Sequence, residues 1–140
     1  MKSYLMATIY QDSWIRIQEK PDWQFWQVTW LKHPRSSEFR TQLENQIKIL
    51  AGKKITKILC DITQIHYLEL ADQRYLIEEA LPQYIMGEKV QIAYLVNEAT
   101  YELVYMNRIA EKIKNHPQLQ EFLQVEFFSY QQEAIAWLDL

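Results

Sequence analysis

Two short segments, Ile55 to Ile62 and Val90 to Val96, constrain this chain more than any other feature. Each is apolar on both alternating faces, and in the first only Thr56, Lys57 and Asp61 interrupt the pattern. A strand that is apolar on both sides needs cover on both sides. That is the pattern of interior strands in a sheet overlaid by helices. The first third of the chain alternates instead. Ser3 to Tyr10 is β-prone. Trp14 to Gln18 places Ile15 and Ile17 on one face, with Trp14, Arg16 and Gln18 on the other. Gln24 to Leu31 places Trp26, Val28 and Trp30 together. Turn residues at Gln11-Asp12-Ser13 and Pro21-Asp22 separate these strands, so they form an antiparallel meander.

After the loop Lys32-His33-Pro34-Arg35 the period becomes helical. Ser36 or Ser37 is placed to cap a helix, and Glu38 faces its positive dipole end. Phe39, Leu43, Ile47 and Leu50 repeat at helical spacing, and Gly52 suits a left-handed residue just past the end. A second helix is predicted from Leu70 to about Tyr84. Leu70, Leu76, Ile77, Ala80 and Leu81 form its buried stripe, and Pro82 ends or kinks it. Asn97 is placed to cap a third helix, with Leu103, Met106, Ala110 and Ile113 inward, until His116-Pro117 stops it. Val125 to Phe128 reads as a last strand. Ser129 and Gln132 read as a capping box for a terminal helix carrying Ala134, Ile135 and Leu138. The expectation is one α/β domain over residues 1–140. Its sheet is mixed: an antiparallel N-terminal meander followed by βα units, with four helices.

Composition narrows function. The chain has only 2 Gly, which excludes Gly-rich phosphate loops. A net charge of -3 gives no general pull toward nucleic acid. The single Cys60 excludes an intrachain disulfide and a thiolate-cluster metal site. No apolar stretch is long enough for a signal peptide or a membrane span. The expectation is a cytoplasmic protein, complete from Met1, without a cofactor.

Several stretches resemble the STAS (sulfate transporter and anti-sigma-factor antagonist) superfamily, in its bacterial SpoIIAA-like branch. They are Ile58-Leu59-Cys60-Asp61-Ile62-Thr63, Ala80-Leu81-Pro82, Val90 to Val96, Phe127-Phe128 and Glu133 to Leu138. The resemblance runs from about Trp14 to Leu140 and rests on the order and spacing of these stretches. It implies a single α/β domain that mediates protein–protein contacts. In signalling members a Ser or Thr at the start of the second helix, after an acidic residue, is phosphorylated. Here Glu69 fills the acidic position, but Leu70 stands at the acceptor position. The usual phosphoswitch is therefore missing. The nearest hydroxyl, Thr63, is expected to bond its own turn.

Asp61, Thr63 and His66, with Cys60, gather where a strand meets its helix, the place where open α/β sheets bind ligands. Cys60 and Asp61 point to opposite faces, so no base–nucleophile–orienter set is visible, and an enzyme is the least supported reading. His33, His66 and His116 lack metal-ligand spacing. Lys53, Lys54 and Lys57 read as the solvated end of a helix, not as a phosphate site. Trp14, Trp23, Trp26 and Trp30 are either core or a partner surface in the N-terminal strands. Tyr101 and Tyr105 either pack a helix face or rim a cleft. The leading expectation is a non-catalytic interaction or regulatory module that self-associates through those strands. The alternative is a domain binding a small apolar molecule or lipid between helices and sheet, with its mouth near Thr63, His66, Tyr67 and Tyr101.

Overall fold

The structure, a computed structural model, describes residues 6–85, 87–97 and 104–140, with the side chains of residues 104 and 105 left aside. Three antiparallel strands open the chain: β1 (Ala7–Gln11), β2 (Ile15–Lys20) and β3 (Phe25–Trp30). α1 (Ser36–Leu50) crosses to β4 (Lys57–Asp61), which pairs parallel to β3. α2 (Leu70–Tyr75) and its irregular continuation lead to β5 (Val90–Leu95). α3 (Val104–Asn115) and the short α4 (Leu119–Phe122) lead to β6 (Leu123–Phe128), and α5 (Gln131–Leu138) follows. β4, β5 and β6 pair in parallel. The six strands lie in sequence order, β1-β2-β3-β4-β5-β6. The expected mixed α/β sheet is present. The described residues hold five helices, because α4 was not foreseen. The His116 ring makes it: its Nδ1 accepts the N–H groups of Gln118 and Leu119, satisfying donors at the helix start.

The sheet divides two apolar groups. On one face Ile15, Ile17, Trp26, Val28, Trp30, Ile58, Cys60, Val90, Ile92 and Tyr94 meet side chains of α1, α2 and α3. On the other face Phe25, Leu59, Ala93 and Leu95 meet Ala134 and Leu138 of α5. β4 and β5 supply both groups, which is why their sequences are apolar on both sides.

Local chemistry departs from expectation in several places. Neither Ser36 nor Ser37 caps α1. Arg35 takes that position without a side-chain bond to the helix, while Ser36 Oγ donates to Asp72 and Ser37 Oγ to Glu38. Both hydroxyls found acidic partners instead of backbone. The capping box is also unrealised: Tyr130 precedes α5 without a side-chain cap. Gly52 does adopt φ 80, where a Cβ would be strained. Pro82 has no N–H for the Glu78 carbonyl and its ring crowds that oxygen. The chain accordingly runs as a wider π-helical stretch over Leu76–Ala80 and a tight 3-10 turn over Leu81–Tyr84. Leu70, expected in the buried stripe, is 57% exposed at the first position of α2. The proposed capping role of Asn97 and the inward Leu103 concern a helix start that lies outside the described residues. No helix among the described residues is long and apolar enough to cross a membrane.

Candidate functional site

Parallel pairing of β3 with β4 sets Thr29 opposite Asp61, so both strands end on the same side of the sheet. The loops that follow therefore meet. His33 from the first stacks on His66 from the second, ring centroids 5.4 Å apart, and leans on Tyr67 at 4.6 Å. The His66 backbone N–H donates to His33 Nδ1 over 3.1 Å. Neutral His33 must then carry its proton on Nε2. Burial, and secondly the neighbouring His66, hold the His33 pKa below its usual value. A surface hollow of about 250 Å3 runs beside this stack, lined by Arg35, Ser36, Glu69 and Asp72 as well as His33 and Tyr67. Asp72 is buried and accepts from Ser36 Oγ at 2.7 Å and Arg40 Nε at 3.1 Å, tying α1 to α2 below the loops.

Asp61 and Thr63 form a closed turn. Asp61 Oδ1 accepts the Thr63 backbone N–H at 3.0 Å and its hydroxyl at 2.7 Å. Thr63 thus bonds its own turn. Cys60 faces the helices while Asp61 faces away, as strand alternation requires. Burial, then the nearby Asp61 charge, push the Cys60 thiol well above its ordinary pKa. A thiol kept protonated is a poor nucleophile. His66 and Tyr67 are exposed, and Tyr101 lies outside the described residues. Among the described residues, no three His, Cys, Asp or Glu side chains gather closely enough to hold a metal ion.

The tryptophans need correction as a surface. Trp26 and Trp30 are 0% and 2% exposed, inside the main core. Their shared strand face is the face that meets the helices. The Trp26 indole N–H donates to Glu19 Oε1 at 2.9 Å, and Trp30 stacks on Phe39 of α1. Trp14, assigned to the polar side of β2, lies just before that strand, outside its alternation. It packs half-buried against the main core with the Lys32 ammonium 4.1 Å above its ring. Trp23 is half-buried beside the α5 group under Lys20. The three clustered lysines are engaged: Lys53 with Glu19, Lys54 with Glu88, and Lys57 with the Asp139 carbonyl.

Sequence reasoning missed a second feature. Between the main sheet face and the three helices lies an internal cavity of about 40 Å3. Its walls include Trp30, Ile58, Cys60, Ile92, Tyr94 and Ile109, and Gln46 from α1 and Tyr84 from the end of the α2 segment line it as well. Tyr84 Oη donates to Gln46 Oε1 at 2.8 Å. The Gln46 Nε2 group has no partner among the described residues, although the residue is only 2% exposed. The signal available in sequence was Gln46 itself, a polar residue near the apolar row of α1.

Comparison of the chain with family models, curated proteins and solved structures finds no match.

Proposed function

We propose that this chain is a non-catalytic, STAS-like interaction module that meets a protein partner through the loop end of its sheet. The observation that carries this reading is the exposure of Tyr67 and Leu70, each 57% exposed, three positions apart at the entry to α2. Exposed apolar side chains mark contact sites where they form a patch, and Tyr is favoured among interface anchors. The stack of His33 on Tyr67 limits the entropy that docking would remove. The STAS resemblance points to the same place, since Leu70 stands where signalling members carry their regulated hydroxyl. Contact here is then set by shape and apolar area, not by phosphorylation.

The test places a photo-crosslinking residue at position 70 and, separately, at the exposed position 48 on α1. A defined adduct from position 70 alone supports the reading, and its mass tells a second copy from another protein. Adducts from both positions, or from neither, reject it. With the crosslinking residue placed at position 67 instead, Leu70→Asp is expected to abolish the adduct while leaving the melting temperature unchanged.

A second reading, a binder of a small molecule between helices and sheet, is favoured by the cavity at Gln46 and Tyr84. Its volume suits a short molecule and not a lipid chain, being room for about three water-sized groups.

A further inference from the structure

A buried amide donor without a partner is uncommon, because each such group forfeits the water it left behind. Gln46 Nε2 is in that position, at a cavity wall, with the carbonyl end of the same side chain already fixed by Tyr84. An apolar residue of the same size would relieve the defect. The amide is therefore a pre-oriented donor, and what it lacks is an acceptor inside the cavity.

The lining defines that acceptor further. None of the described residues that line the cavity carries a charge. Burial pushes the Tyr84 and Cys60 hydrogens toward staying bound, so the space disfavours negative charge. A carboxylate or phosphate entering here would find no cation to compensate its desolvation. Apolar walls suit a short hydrocarbon, and the volume limits it to a few heavy atoms. Ile65 and Leu68, from the loop that carries the exposed Tyr67, close one side of the space. The α2 segment on another side is the π-helical and 3-10 stretch, which contributes Leu76, Leu81 and Tyr84. Such irregular turns recur at functional sites.

We infer that the cavity binds a small neutral aliphatic carbonyl compound, its oxygen accepting from Gln46 Nε2 and its chain lying among the apolar walls. This inference rests on the small-molecule reading and adds the ligand's class and the residue that recognises it. Tyr84 is a positioning residue, since its hydroxyl is bonded to the Gln46 carbonyl and holds the amide in place.

The test titrates the full chain with acetone, butanone and 2-pentanone, and separately with xenon as a purely apolar probe, while nuclear magnetic resonance follows the Gln46 side-chain amide. Saturable shifts with at least one ketone are expected. The double variant Gln46→Met/Tyr84→Phe replaces both members of the polar pair by apolar groups of similar shape, a change that is close to neutral for folding. It is expected to weaken the ketone about tenfold, the loss of one buried hydrogen bond, and to leave xenon unchanged. If neither ketone nor xenon binds, the inference and the small-molecule reading fall together. If xenon binds but no ketone does, or the double variant keeps full ketone affinity, only the assigned class falls. An ordered water on Gln46 Nε2 that no ketone displaces overturns the class as well.

Discussion

The two faces of the sheet are built differently. The first is apolar from β2 across to β6 and lies under α1, α2 and α3. The second is apolar only beneath α5, where Phe25, Leu59, Ala93 and Leu95 meet Ala134 and Leu138. Arg16, Gln18, Gln27 and Thr29 occupy the rest of that face and belong to neither apolar group. The meander is thus apolar mainly on one side, with Phe25 its contribution to the other, and the central strands are two-sided, in one continuous sheet. The difference follows from connectivity. Three crossovers lay helices on the first face, whereas among the described residues the second receives only the helix that follows the last strand. Trp26 and Trp30, with the half-buried Trp14, went to the crowded face, whereas Trp23 and Phe25 pack beside α5. The candidate partner surface arises at the loop end instead, where neither face decides exposure.

That contrast can be broken by experiment. The largest effect is expected from Trp26→Ala on the crowded face, which removes a fully buried indole and its hydrogen bond to Glu19, leaving that carboxylate to Lys53. Truncations of this kind cost about 3–5 kcal/mol. Leu138→Ala, equally buried but under α5 alone, is expected to cost about 2–3 kcal/mol, because a terminal helix relaxes into the gap. Urea midpoints at a constant slope measure both. Equal losses would show that the two faces contribute alike and would cancel the comparison.

A smaller effect is expected at the corner where α1 meets the β1–β2 turn. Asp12 accepts the Trp14 and Ile15 N–H groups, the Tyr10 hydroxyl and the Gln42 amide, at 2.7–2.9 Å. Burial alone would raise its pKa, but these bonds outweigh it and hold the carboxyl below its ordinary value of 3.8. Its contribution is therefore complete above pH 3.8 and is lost as the pH falls through the lower folded-state value. Asp12→Ala is expected to cost about 1–3 kcal/mol at neutral pH and to flatten the acid limb of the stability profile. An unchanged acid limb would remove Asp12 from this role.

The smallest effect belongs to the loop end. His33 also has a depressed folded-state pKa, so the unfolded chain binds the proton more readily. Stability is then expected to be full above pH 6.5 and to decline as the pH falls below it. His33→Ala should lower stability by only about 0.5 kcal/mol at pH 8 and remove the decline near pH 6. Thermal melts at the two pH values check this, and a decline that persists in the variant must come from another group.

Much of the frame was readable. The two-sided runs announced β4 and β5, the alternation announced the meander, and strand parity placed Cys60 and Asp61 on opposite sides. The Asp61–Thr63 turn followed from local chemistry. The errors share one cause. Which side of β3 meets helices is not written in β3, so Trp26 and Trp30 carried two readings that only α1, α2 and α3 resolved. Trp14 turned core-ward because it precedes the ladder and escapes its alternation. Leu70 fits a helical stripe, yet at the first turn of α2 it stands outside the packed region.

By itself, then, the sequence determined the periodicities, and through them the type and order of nearly every element. Periodicity is a local property, set by backbone geometry and by which side chains water rejects. Tertiary structure decided the rest. It joined His33 to His66 across 33 positions, carried Tyr84 to Gln46 across 38, and left the Gln46 Nε2 group without a partner among the described residues. Those pairings depend on parallel strands ending at one level and on helices converging over one sheet face. No window of neighbouring residues contains that information.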